Sequence, residues 1–92
     1  MDMTHWRGQI DKIDERLVEL LNKRSRCALE IGKIKQRESI EVYQPDREMA
    51  VIRHVTEINK GPLGETALKR LFERIIDESR RVETDMLDEE AE

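Results

Sequence analysis

The chain has 92 residues, of which 41% are charged and 3% are aromatic, and its formal net charge is −4. This length corresponds to one small domain, residues 1–92. The negative charge argues against nucleic acid as the main partner, because phosphate binding requires a basic surface. Cys27 is the single cysteine, so no disulfide can form within the chain.

The sequence also bears on location. No apolar run approaches the ~20 residues that a membrane span requires. The N-terminus lacks the basic and then apolar layout of a secretory signal peptide. We therefore expect a cytoplasmic protein without a membrane partner.

The longest regular pattern runs from Thr4 to about Arg37 and contains no proline. Its apolar residues recur at alternating steps of three and four, as in a helix that lies along another helix. This seam comprises Met3, Trp6, Ile10, Ile13, Leu17, Leu20, Cys27, Ile31 and Ile34. Such a helix is roughly 50 Å long, whereas a compact domain of this size has a radius of gyration near ~12 Å. The helix overhangs what one chain can cover, so we expect a two-fold homodimer.

The helical pattern fails between Gln36 and Gln44, where we expect a loop that ends at Pro45. Proline fits the first turn of a helix, and Asp46 and Glu48 complement the positive end of that helix. The second helix is expected to run to about Asn59. Its predicted inward residues are Met49, Ile52, Val55 and Ile58.

Gly61, Pro62 and Gly64 form the clearest break in the sequence. A third helix is predicted from Glu65 or Thr66, and the acidic tail at about 87–92 is expected to fray. The apolar face of this helix comprises Leu68, Leu71, Phe72, Ile75, Ile76, Val82 and Met86. The predicted fold class is all-α, with a long, a short and a medium helix.

Several polar side chains lie at positions that the periodicity turns inward. They are Arg24, Lys35, Arg47, Glu48, Ser79 and Glu83. Arg24 occupies a seam position, where a guanidinium is costly to bury unless an anion meets it. Any one of these polar residues alone would most simply fix the register of a helix contact or form an interface ion pair. Together they suggest a polar pocket inside a helical bundle, whose cations suit a small substrate with carboxylates.

Arg7 lies too far from Arg24 to share a small ligand within one chain, because the two are about 25 Å apart along one helix. An antiparallel partner helix that crosses near Leu21 would bring Arg7 of one chain level with Lys35 of the other. The homodimer would then complete the pocket in trans.

Other reactive residue types are interpreted as structural. His5 and His54 lack the spacing of metal ligands, so we expect no metal site. Cys27 occupies a seam position and is expected to be buried and inert. No serine lies in a nucleophile-elbow sequence, and no Gly-rich phosphate loop is present.

The ordered polar residues resemble a known family. The series is Arg7, Asp14, Arg24, Lys35, then Pro45-Asp46-Arg47-Glu48, a Gly-Pro turn, Leu71-Phe72, Ser79 and Glu83. Over about residues 5–86 it is similar to the all-helical chorismate mutases of the AroQ class. The resemblance implies an intertwined helical-bundle homodimer that converts chorismate to prephenate, for phenylalanine and tyrosine synthesis. It also implies no cofactor, no metal and no covalent intermediate.

The resemblance further implies how the substrate would be bound. Arg24 and Arg7 from the other subunit would clamp the two carboxylates of chorismate, with help from Ser79. Arg47 would help to close the pocket. Glu48 would accept a hydrogen bond from the ring hydroxyl.

The resemblance places Lys35 and Glu83 on either side of the ether oxygen, where negative charge grows as the C–O bond breaks. Catalysis would then combine conformational restriction with preorganised electrostatics. Many members of the family carry glutamine at the position of Glu83, and a carboxyl group donates a hydrogen bond only when protonated. Gln44 stands where some members carry aspartate near the ring hydroxyl, and it could contribute through its backbone.

Two alternatives remain open from the sequence. One is isochorismate-pyruvate lyase, which would use the same cations on the same fold. The other is a non-catalytic helical dimerisation or regulatory module, in which Arg24 and Glu83 would form interface ion pairs.

Overall fold

A computed structural model describes the backbone of residues 1–91 and the side chains of residues 1–85. It contains three α-helices: α1 (Met3–Arg37), α2 (Pro45–Ile58) and α3 (Glu65–Ala91). The predicted all-α order of long, short and medium helices is confirmed. Within the described part of the chain, no helix is long and apolar enough to cross a membrane. The predicted fraying at 87–92 and the inward position of Met86 fall outside the described side chains and stay predictions.

The C-terminus of α1 is closed by backbone hydrogen bonds. Ser39 has a positive φ of 58°. Its N–H donates to the Gln36 carbonyl at 3.3 Å, and the N–H of Ile40 donates to the Lys35 carbonyl at 2.7 Å. This pair of bonds is a Schellman cap, which turns the chain sharply out of the helix. The cap therefore sets the start of the loop that leads to α2.

Helix α3 packs against both α1 and α2. The approach to α1 is close at Gly32, because a Cβ atom there would lie 3.2 Å from the Cα of Glu83. The lack of a side chain at Gly32 therefore permits the close approach of α3. The buried residues along these contacts include Ala28, Val55, Ile76, Lys35 and Glu83.

The single chain is elongated, with principal extents of 54 × 27 × 15 Å and a radius of gyration of 16.4 Å. Its apolar seam on α1 is largely uncovered: Trp6 is 56% exposed and Ile13 is 63% exposed. Exposure of so much apolar surface is unfavourable in water. This finding supports the expectation that a second chain covers the seam, and the homodimer itself stays a prediction.

Some predicted inward positions are wrong for the single chain. Met49, Ile58 and Leu71 are each more than half exposed, and Cys27 is exposed rather than buried. Because α2 packs on α3 through a narrow stripe around Val55, α3 covers only part of the apolar face of α2.

Candidate active site

A cavity of about 370 Å³ lies among the three helices and the loop that joins α1 to α2. Every residue that the sequence indicated for the site contributes to its lining, except Arg7. These residues are Arg24 and Lys35 on α1, Gln44 on the loop, Arg47 and Glu48 on α2, and Ser79 and Glu83 on α3. Cys27, Ile31, Val51 and Ile76 are among the remaining lining residues. Polar residues that are far apart in the sequence thus lie around one cavity, and the rest of its lining is apolar.

Arg24 is held by the third helix. Its Nη1 donates a hydrogen bond to the Oγ of Ser79. The Ser79 hydroxyl in turn donates to the Ile75 carbonyl at 3.0 Å. A guanidinium has five N–H donors, so Arg24 retains donors for a ligand while Ser79 fixes its direction.

Lys35 and Glu83 form a buried ion pair across α1 and α3. The Lys35 Nζ lies 3.1 Å from Oε2 of Glu83, and the two side chains are only 11% and 9% exposed. The same ammonium donates to the Val42 carbonyl at 2.8 Å. The ammonium also lies 3.4 Å from Oε1 of Glu83, the longest of its three hydrogen bonds and therefore the one that a ligand in the cavity would most easily replace. The hydrogen bond to Val42 also connects the loop between α1 and α2 to the buried ion pair.

Arg80 is a lining residue that the sequence reasoning missed. Its Nε and Nη2 donate to Oε2 and Oε1 of Glu48 at 2.9 and 3.0 Å. Nη2 also donates to Asp77 at 3.0 Å, and the guanidinium lies 5.1 Å from the centre of the Tyr43 ring. The hydrogen bond to Glu48 raises the pKa of Arg80 above its ordinary value. No signal in the sequence distinguishes Arg80 from the other charged residues of α3.

The remaining predicted site residues are less enclosed. Gln44 is the N-cap residue of α2, and its side chain makes no capping hydrogen bond. Gln44 and Arg47 are both exposed at the cavity lining. Arg7 is exposed on the first turns of α1 and does not line this cavity. Its predicted contribution from a second chain stays a prediction.

The charge of the cavity contrasts with that of the chain. Its lining holds four cationic side chains and two carboxylates, a net charge of +2, whereas the chain as a whole carries −4. The cations are Arg24, Lys35, Arg47 and Arg80, and the carboxylates are Glu48 and Glu83. A small dianion matches this excess, and a partly enclosed cavity strengthens the attraction relative to bulk water.

Comparison with known proteins agrees with the family resemblance found in the sequence. The model of the family "Chorismate mutase type II" matches residues 6–84. The bifunctional chorismate mutase/prephenate dehydratase of Stutzerimonas stutzeri is 40% identical over 75 residues, which cover 76% of this chain and 20% of that protein. The protein of the same description from Neisseria gonorrhoeae is 42% identical over 77 residues, 84% of this chain and 21% of that protein. The chain therefore spans about a fifth of the length of these curated relatives.

Solved structures match over nearly the whole chain. Chorismate mutase from Helicobacter pylori, solved in complex with prephenate, has a TM-score of 0.87 and 29% identity, covering 95% of this chain and 94% of that one. Form II of chorismate mutase from Thermus thermophilus also has a TM-score of 0.87, with 27% identity, covering 89% and 93% of the two chains. With the family match across residues 6–84, these likenesses establish that the chain belongs to the chorismate mutase type II family.

Proposed function

We propose that the chain catalyses the Claisen rearrangement of chorismate to prephenate. The observation that carries the proposal is the cavity of net charge +2, in which Arg24 and Lys35 are fixed by Ser79 and Glu83. Chorismate is a dianion that must fold into a chair-like geometry before it reacts. Cations held at fixed positions would select that geometry and so lower the entropic part of the barrier.

The reaction is intramolecular. A C–O bond of the ether breaks, a C–C bond forms, and no proton or group leaves the substrate. Negative charge grows on the ether oxygen as the C–O bond lengthens. Lys35 would stabilise that charge through an N–H redirected from its 3.4 Å contact with Oε1 of Glu83, and the Glu83 carboxyl would act from the other side when protonated. Arg24 would bind a carboxylate, and Glu48 would accept a hydrogen bond from the ring hydroxyl.

An intertwined homodimer would complete the site. The uncovered seam of α1 supports a second copy of this chain as its cover. Arg7 lies on the overhanging part of that helix, so a second chain could bring it to the cavity that it does not reach in its own chain. A cytoplasmic location is part of the same proposal.

The decisive experiment follows chorismate absorbance after the protein is added. Acid then converts any prephenate to phenylpyruvate, which identifies the product. We expect loss of chorismate, and Arg24→Ala should abolish turnover while the oligomeric state is unchanged. Arg26→Ala is the matched control, because Arg26 lies on the same helix, is exposed and does not line the cavity.

The alternatives give different results in the same assay. Salicylate formation from isochorismate, with chorismate left intact, would identify the lyase. No turnover of either substrate, together with a weakened dimer in Arg24→Ala, would identify a non-catalytic module. Either result would overturn the proposal.

A further inference from the structure

Arg80 joins three parts of the site. It binds Glu48 of α2 through two parallel hydrogen bonds. It also binds Asp77 of its own helix, and its guanidinium lies over Tyr43 of the loop. The side chains of Arg80 and Glu48 are 35% and 25% exposed, so the pair lies at the cavity wall rather than free in solvent.

We propose that Arg80 is the positioning residue for Glu48: it fixes the plane of that carboxylate and cancels its charge, so that the cavity holds an acceptor for a substrate hydroxyl and still attracts a dianion. The inference rests on the proposed mutase function, because the hydroxyl is that of the chorismate ring. Arg80 acts through Glu48 and is not itself required to touch the substrate.

The geometry supports the orienting role. Two parallel N–H···O bonds to the two oxygens of one carboxylate leave it little rotational freedom. Each carboxylate oxygen has a further lone pair, so Glu48 can accept a hydrogen bond from a substrate hydroxyl while Arg80 fixes the position of the carboxylate. A single-point cation could neutralise Glu48 but would not fix its plane.

The charge balance supports the second role. A carboxylate in the wall of a cavity that binds a dianion is repulsive unless a cation compensates it. Lys35 is paired with Glu83 on the far wall. Arg24 is bonded to Ser79. Arg80 is the cation that meets Glu48 in a bidentate contact, and its removal would lower the net charge of the lining from +2 to +1.

The test is a double-variant cycle measured as kcat and KM for chorismate. The variants are Arg80→Met, Glu48→Gln and the two combined. Arg80→Met should lower kcat/KM about 10- to 100-fold, as expected for the loss of hydrogen bonds to a charged group. In the Glu48→Gln background the same change should cost less than about threefold, because no carboxylate remains to orient or neutralise.

Two further variants separate positioning from general stability. Arg80→Lys keeps the charge but loses the bidentate contact, so KM should stay near the wild-type value while kcat falls. Arg81→Met is the matched control: Arg81 is the next residue of α3, is exposed and does not line the cavity. It should leave kcat and KM unchanged. Circular dichroism and the melting temperature show whether each variant folds.

An equal loss from Arg80→Met in both backgrounds would overturn the inference, as would an effect no larger than that of Arg81→Met. If Arg80→Met does not fold, Arg80→Lys decides alone, and a rise in KM with unchanged kcat contradicts the inference. Failure of the wild-type protein to convert chorismate is a separate result. It refutes the proposed function, and this inference with it, before any variant is compared.

Discussion

Gly32 of α1 and Glu83 of α3 lie so close that a Cβ atom on Gly32 would be 3.2 Å from the Glu83 Cα and 3.3 Å from its Cβ. Such distances are shorter than ordinary van der Waals contact. The absence of a side chain at Gly32 therefore lets α3 approach until Glu83 reaches Lys35, three residues further along α1. The helix contact and the ion pair of the site depend on the same small residue.

Gly32→Val should therefore destabilise the fold and lengthen the Lys35–Glu83 contact. Overpacking of this kind costs about 1–3 kcal/mol. Gly8→Val is the matched control, since it introduces the same side chain into the same helix and no heavy atom lies within 4 Å of the added Cβ. Chemical denaturation of both variants measures the difference. Equal unfolding free energies would show that α3 can move away without cost.

Lys35→Met should lower both the stability and the activity of the protein, and a second substitution at Glu83 should separate the two effects. Removal of the ammonium leaves the buried Glu83 carboxylate without its ion-pair partner, a change that costs about 3–5 kcal/mol in comparable pairs. Loss of a preorganised donor should also lower kcat by about 10²–10³-fold. The double variant Lys35→Met/Glu83→Gln should recover much of the stability and none of the activity. Recovered turnover would contradict the catalytic role of Lys35.

Glu83→Gln should keep most of the mutase activity, because the amide that replaces the carboxyl group can donate an N–H hydrogen bond to the ether oxygen. The same change removes the anionic partner of Lys35. The values of kcat and KM for chorismate are compared with those of the wild-type protein. A loss of kcat as large as that expected for Lys35→Met would exclude this role for residue 83.

Ser39→Gly should stabilise the chain by about 1 kcal/mol, because φ of 58° is unfavourable for a residue with a Cβ atom. Glu38→Gly is the control at the neighbouring position, where φ is −98° and glycine gives no such relief. It should leave stability unchanged or lower it. The melting temperatures of the two variants are compared with that of the wild-type protein. A lower melting temperature for Ser39→Gly would contradict the prediction.

Mixing two inactive variants tests whether Arg7 acts from the second chain. In a heterodimer of Arg7→Ala and Arg24→Ala chains, one site receives both original arginines and the other receives neither. After unfolding and joint refolding, we expect activity to return to about a quarter of the wild-type value, since about half of the dimers are mixed. Each variant refolded alone is the control. No recovery would refute the contribution in trans.

The sequence predicted the helices well because their ends have local causes. Pro45 begins α2, and the Gly61-Pro62 break separates α2 from α3. The cavity residues could be found because polar side chains at inward positions of a periodic pattern need a reason to be there. Arg24, Lys35 and Glu83 stood out in this way.

The features that escaped prediction depend on neighbours rather than on local pattern. Arg80 looks like one charge among many on α3, and only its contact with Glu48 distinguishes it. The bond from Lys35 to the Val42 carbonyl involves a backbone acceptor, which has no signature in the sequence. The exposure of Met49 and Cys27 depends on which faces α3 covers, and periodicity alone cannot give that.

The distribution of burial has a consequence for mutational scanning. Among residues 1–85 no side chain is less than 2% exposed, and the best-buried positions include Lys35 and Glu83 as well as Ala28, Val55 and Ile76. The groups proposed for chemistry are therefore also part of the scaffold. A scan scored only by growth would merge two phenotypes at these positions, because loss of abundance and loss of turnover would coincide. Cellular protein level and specific activity have to be recorded for each variant before a sensitive position is assigned to either cause.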